Sequence, residues 1–249
     1  MSLVKFLSKL SNWETFKSWW LPSICVLCSA LAKRHLDLCV HCEAELPWLT
    51  SACQICAVPL VATENKSARI CGKCIQYPPA FSAVKTLFHY QPPIDNFIMA
   101  LKFHQQLLYA RLFGELLSLQ LQKIYEESEL PELIIPVPLH STRLRERGFN
   151  QAVEIARPIA KQLRLPLDIH SCERVRMTTA QSLLPANERH NNIKNAFAVK
   201  IPIATKYVAI VDDVITTGQT VNELSKVLHQ VGVERIDIWS VARTDTNGM

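Results

Sequence analysis

The stretch Tyr207–Val221, YVAIVDDVITTGQTV, restricts the possible folds more than any other in the chain. Tyr207 to Val211 is an apolar run of the length of a buried strand, and two carboxylates, Asp212 and Asp213, stand at its carboxyl end. A short bend of small hydroxyl residues around Gly218 follows, and Thr220-Val-Asn-Glu-Leu opens a helix. Strand, acids, Thr/Gly bend and helix N-terminus, in that order, describe a site for a phosphorylated sugar. Backbone N–H groups and hydroxyls of Thr216, Thr217, Gly218, Gln219 and Thr220 can cradle a phosphate. Asp212 and Asp213 can accept hydrogen bonds from vicinal ribose hydroxyls or hold a hydrated Mg2+. Asp, Thr and Gly also punctuate ordinary strand-to-helix turns as caps. The complete order favours the phosphosugar, and it speaks to binding alone, not to turnover.

Eight of the nine cysteines lie in Cys25–Cys74 as four C-x-x-C pairs: Cys25/Cys28, Cys39/Cys42, Cys53/Cys56 and Cys71/Cys74. Each pair can present two thiolates to one metal, and eight thiolates fill two closed, tetrahedral Zn2+ sites. Consecutive pairing is the simplest arrangement; a crossed one stays open, and His41 could replace a thiolate. Four tandem pairs do not suit a thioredoxin-like redox dithiol. The expected role is architectural, because so short a segment buries too little apolar surface to fold without metal.

With 49% hydrophobic and 20% charged residues, a chain of 249 residues is globular and long enough for one ordinary domain and a smaller one. Its net charge of +5 is unevenly placed. Pro136–Lys200 holds 11 Lys/Arg against 5 Asp/Glu, which suits an anionic partner, although a solvated basic face is the common alternative. No run reaches the about 20 apolar residues of a transmembrane helix. Lys5, Lys9, Glu14 and Lys17 interrupt the first apolar stretch, against a signal peptide, so a cytoplasmic protein without stable membrane insertion is expected. Leu3–Trp20 has the spacing of an amphipathic helix.

The chain divides on these patterns into an N-terminal helix over 1–22, a double zinc element over 23–79 and an α/β domain over 80–249. In the last, strands are expected at Ala83–Tyr90, Leu133–Val137, Leu165–His170, Tyr207–Val211 and Val233–Val241, with helices between them. That alternation predicts a parallel sheet with ligands at the carboxyl ends of its strands. Lys102, near a helix end, reads as a dipole partner without a catalytic role. Arg143, Arg145 and Arg147 with Gly148 form a plausible pyrophosphate grip. Asn150 reads as an N-cap, and Pro158 should kink or restart the following helix. Arg174–Phe197 is long, polar and basic, the character of a functional connection.

Together, the Cys25–Cys28 knuckle, PVPL…RGFNQ at Pro136–Gln151, R-x-R-x-T-x-x-Q at Arg174–Gln181, Glu188-Arg189 with Asn192 and Phe197, and VDDVITTG at Val211–Gly218 resemble the ComF (GntX-like) family. These are bacterial proteins linked to natural competence and incoming DNA. The resemblance implies a cysteine-rich zinc element before a type I phosphoribosyltransferase-like, parallel-sheet domain. It implies that Asp212 and Asp213 contact the ribose of phosphoribosyl pyrophosphate (PRPP), that Thr216–Thr220 hold its phosphate, and that Arg143 and Arg147 approach its pyrophosphate with Mg2+. A mobile loop carrying Arg174, Arg176, Thr178, Gln181 and Arg189 would close over it. The role so implied is handling single-stranded DNA beside other competence or DNA-processing proteins, with Phe149, Phe197 and Trp239 as base platforms if they are not core. A true phosphoribosyltransferase acting on a nitrogen acceptor is the alternative; a PRPP-sensing regulator ranks last, because no helix-turn-helix is evident.

Overall fold

The computed structural model describes residues 23–61, 69–177 and 194–245. The expected N-terminal helix and Thr178, Gln181 and Arg189 of the expected mobile loop lie outside the described residues. Two compact units result, Met1–Leu46 and Pro47–Met249, so the second pair of cysteine knuckles belongs to the larger unit.

In the smaller unit, Cys25 N–H donates to Ala30 O (2.8 Å), Ser29 N–H to Cys25 O (2.9 Å), and Ile24 bridges Leu31. Helix α1, Val40–Ala44, starts from Cys39, whose Sγ accepts the Cys42 N–H at 3.4 Å. Leu38 is its fully buried apolar residue. The larger unit repeats this knuckle: Cys53 N–H donates to Val58 O and Ala57 N–H to Cys53 O (both 2.9 Å), with Ala52 bridging Pro59. Ser29 and Ala57, at matching places, both take positive φ (59° and 52°). Helix α2, Gly72–Gln76, starts from Cys71.

The body of the larger unit is a four-stranded parallel sheet in the order β1 (Ala83–His89), β6 (Arg235–Arg243), β5 (Tyr207–Ile215), β2 (Leu133–Pro136). Its central strands are buried on both faces, as parallel strands covered by helices are. Helices α3 (Ile94–His104) and α4 (Leu107–Ile124) follow β1; α5 (Ser141–Arg147) and α6 (Gln151–Leu163) follow β2; α7 (Gln219–Gln230) follows β5. β3 (Cys172–Arg174) and β4 (Phe197–Val199) form a separate antiparallel pair.

The helices bury stripes at helical spacing: Ala152, Ile155, Ala156 and Ile159 on α6, and Val221, Leu224 and Leu228 on α7. One face of the sheet, with Val208, Ile210, Ile236 and Ile238, packs on the α7 stripe. On the other strand parity, Asp237 accepts from the hydroxyls of Tyr125 (2.5 Å) and Tyr207 (2.7 Å), and Trp239 Nε1–H donates to Tyr125 Oη at 3.1 Å. This network pairs Tyr125, Tyr207, Trp239 and Asp237 Oδ2 in the interior, while Asp237 Oδ1 is buried there without a hydrogen-bond partner among the described residues.

Three expectations are corrected. Pro158 lies inside an unbroken α6 and does not restart it. Leu165–His170 makes one bridge, Leu167 to Ile134, rather than a strand. Pro166 can only accept (Ile134 N–H, 2.9 Å), and the Asp168 carboxylate turns the chain by accepting the N–H groups of His170 (2.8 Å) and Ser171 (2.9 Å). The third concerns β5, which does not end before the acids but runs through them to Ile215.

Candidate functional site at the carboxyl ends of the strands

β2 stops at Pro136, paired with Val211, whereas β6 continues beside β5 to Arg243, paired with Ile215. Asp212 and Asp213 therefore sit on a strand held from one side only. The Asp213 N–H is taken up by Asp212 Oδ1 at 2.9 Å. Successive strand residues face opposite sides of a sheet, which separates the two acids. Asp212 shares the parity of Val208 and Ile210, on the α7 face. Asp213 shares the other, where it forms an ion pair with Lys102 of α3 and accepts from Gln151 Nε2 at 3.4 Å.

Burial works against charge on both carboxyls. On Asp212 it prevails, reinforced by the neighbouring charge of Asp213, and the pKa lies well above the usual carboxylate range. On Asp213 the same burial is outweighed by the Lys102 ammonium and by hydrogen bonds, and the pKa falls below that range. The two carboxyls are thus shifted in opposite directions, each by its own surroundings.

Cations converge here. Arg147 Nη1–H donates to Gln151 Oε1 at 2.5 Å, and its guanidinium lies 5.7 Å from the Phe103 ring centre. Burial lowers the Arg147 pKa, opposed by the charge of Asp213, and the Arg174 pKa is lowered by burial and by Arg143, opposed by Asp212. Arg147 and Arg174 thus lie within electrostatic reach of the acids, and Arg143 within reach of those two arginines. His140, which caps α5, bridges Arg174 of β3, so the antiparallel pair is joined to the start of the arginine helix. Asn150 caps α6, accepting from Ala152 N–H (3.0 Å) while donating to Val137 O (3.0 Å), and this fixes Gln151 beneath Asp213. Arg176 donates to Lys194 O at 2.5 Å, away from the acids' hydrogen-bond network.

After Ile215 the chain bends through Thr216, which is exposed, and Thr217–Thr220, which are half-buried. Gly218 is the N-cap of α7 at φ 77°, a left-handed conformation that the absence of a Cβ favours. Gln219 N–H donates to Thr217 Oγ1 at 3.4 Å. An open bend of amides at the positive end of a helix dipole is suited to an anion.

Lys102 and Gln151 are the residues whose roles the sequence did not disclose. Lys102 looks like any lysine at a helix end, and only the fold carries it to Asp213. Phe103, 62% exposed, has no sequence signal of its own either. Of the suggested platforms, Trp239 and Phe197 are buried core residues and are withdrawn, and Phe149 is half-buried.

The cysteines assemble as Cys25/Cys28/Cys39/Cys42 and Cys53/Cys56/Cys71/Cys74, each tetrad with all four Sγ atoms within 4.8 Å of one another. His41 is in neither tetrad. Tetrahedral Zn2+ with Zn–S of about 2.3 Å requires sulfurs about 3.8 Å apart. Cys28 and Cys39 are at 3.8 Å, Cys56 and Cys71 at 3.7 Å. The all-thiolate donor sets fit structural zinc and leave no ligand position for water. Cys172, the ninth cysteine, is buried in β3, its pKa pushed up to about 12 by that burial.

A double zinc ribbon domain matches residues 16–75, and a phosphoribosyl transferase domain matches residues 150–247. The chain is 34% identical over 226 residues to the DNA utilization protein YhgH of Escherichia coli, covering 90% of this chain and 98% of that protein. It is 35% identical over 224 residues to Competence protein F of Haemophilus influenzae (87% and 90% covered). Competence protein ComFC of Streptococcus pneumoniae is 28% identical over 159 residues, 64% of this chain and 67% of that one.

Proposed function

Because the chain belongs to the ComF family of competence and DNA-utilization proteins, we propose that it handles single-stranded DNA during natural transformation and carries a PRPP site at the carboxyl end of β5. The observation that carries the PRPP reading is the acid pair on opposite faces of β5, open on the β2 side and followed by the Gly218 bend. Asp213, held ionised by Lys102, accepts from a ribose hydroxyl. Asp212, on the opposite face, joins it once a Mg2+–pyrophosphate group offsets the charge it would gain. The bend Thr216–Thr220 takes the sugar phosphate, and Arg143 and Arg147 take the pyrophosphate. Arg174 and Arg176, with Thr178, Gln181 and Arg189, cover the bound ligand. Zinc in the two tetrads supplies rigidity only.

For the nucleic acid, support comes from the basic excess of Pro136–Lys200 and from Phe103, exposed beside Arg147. An aromatic face next to guanidinium groups suits stacking of an unpaired base over a neutralised backbone. An anisotropy titration with a labelled oligonucleotide at low salt tests this. Affinity for single strands that weakens steeply with salt supports it, and no affinity refutes it. In such a setting the protein works in the cytoplasm, beside other DNA-processing proteins.

A second reading, a phosphoribosyltransferase, is favoured by the cations grouped on the pyrophosphate side, which would stabilise that leaving group as the sugar gains positive charge. It requires PRPP-dependent release of pyrophosphate with a nucleobase or amine. Silence across a broad acceptor panel, with PRPP bound, leaves a binding protein.

A further inference from the structure

Arg243, the last residue of β6, is 3% exposed although it carries a guanidinium. Its Nη1 donates to Ile215 O (3.0 Å), to Thr244 O (3.1 Å) and to Thr216 O, and its Nε–H donates to Cys56 O at 3.0 Å. One side chain thus joins the bend after β5 to a knuckle of the second cysteine tetrad. The knuckle is itself fixed: Ile55 O, between Cys53 and Cys56, accepts the Val84 N–H of β1 at 2.8 Å, and Leu49 N–H donates to Leu87 O at 2.8 Å. Ala57 packs in the same core as Val84, Ile210 and Ile215. All of these residues lie in one compact unit.

A trans peptide holds its C=O and the following N–H in opposite directions. Arg243 draws the carbonyls of Ile215 and Thr216 toward itself, and this directs the N–H groups of Thr216 and Thr217 to the other side, the side proposed for the sugar phosphate. A buried guanidinium that donates through both Nε and Nη1 is a stiff clamp, because releasing those bonds leaves a buried charge short of partners.

We propose that Arg243 is a positioning residue that sets the orientation of the phosphate-binding bend, and that the second cysteine tetrad, when it holds its metal, is the anchor from which it does so. This deepens the PRPP reading and rests on it for its affinity test.

The test uses the full chain with zinc bound. In Arg243→Lys, which keeps the charge and loses the fork, and in Arg243→Met, amide hydrogen exchange at residues 216–220 should quicken about tenfold while β5 and β6 retain wild-type protection. Binding of PRPP with Mg2+ should weaken by about tenfold at unchanged zinc content. A cycle with Cys74→Ser, a tetrad residue within electrostatic reach of Arg243, reads the coupling: its loss of PRPP affinity should be large in the wild type and small in Arg243→Met. Wild-type exchange and affinity in both folded Arg243 variants would overturn the proposal, as would an equal effect of Cys74→Ser in both backgrounds. If the wild type itself does not bind PRPP, the phosphosugar reading fails, and the exchange experiment still decides what Arg243 does.

Discussion

Asp212 and Asp213 are adjacent and chemically identical, yet the fold sends them to opposite faces and shifts their pKa values in opposite directions. This has a consequence for stability that can be signed. Asp212, raised, favours the folded state fully below its ordinary unfolded pKa, and that contribution is lost as pH rises through the higher folded value. Asp213, lowered, contributes above its unfolded pKa, and that is lost as pH falls through the folded value. Asp212→Asn should therefore raise the melting temperature at neutral pH by a few degrees and flatten the decline that sets in as pH rises above the ordinary carboxylate range, while weakening PRPP binding, the usual trade of stability against function. Lys102→Met should do the reverse, leaving a buried carboxylate unpaired at a cost of about 3–5 kcal/mol, seen in denaturant titration as a loss that shrinks on acidification. Neither role was legible at residue level: DD announces a site, but burial and the Lys102 ion pair are products of the fold. The bend itself was legible, because Thr216-Thr217-Gly218 after an apolar run marks a strand-to-helix turn.

At the scale of elements, apolar runs placed β1, β2, β5 and β6 within a residue or two, except where polar residues continue a strand. Asp212 and Asp213 stay in β5 because β6 pairs alongside as far as Arg243, a tertiary fact with no local signal. Leu165–His170 had the composition of a strand, but Pro166 and Asp168 removed the donors and turned the chain. Pro158 is tolerated because α6 packs closely on α4 at that point. A Cβ on Gly114 would lie 2.6 Å from Ile155 O and 2.9 Å from Pro158 Cγ. Gly114→Ala should therefore be destabilising by roughly 1–3 kcal/mol despite its better helix propensity, measured by chemical denaturation; a gain in stability would mean that the two helices are not held this close.

For the molecule as a whole, the sequence disclosed a zinc element ahead of a parallel-sheet domain; it left the pairing of the cysteines open, and the fold brings them together consecutively. It did not disclose that the second tetrad is stitched to β1 and β6 within the larger unit. Zinc is expected at two ions per chain, and chelation should lower the melting temperature and unsettle the sheet edge at β1. Metal analysis with parallel thermal melts checks both. Among the described residues no helix is long and apolar enough to cross a membrane. If DNA is a partner, replacing Arg145 and Arg147 with Gln should reduce the salt dependence of oligonucleotide binding by about 0.7 in log–log slope for each phosphate no longer neutralised. Phe103→Ala should weaken binding with that slope unchanged.

The most direct measurement is titration calorimetry with PRPP and Mg2+ on the wild type and on Asp212→Asn/Asp213→Asn, which keeps side-chain volume. Saturable binding at one site per chain by the wild type, lost in the folded double variant, is the expected result. Equal binding by both, or no heat from the wild type at any concentration, would mean that the carboxyl end of β5 does not hold an activated pentose.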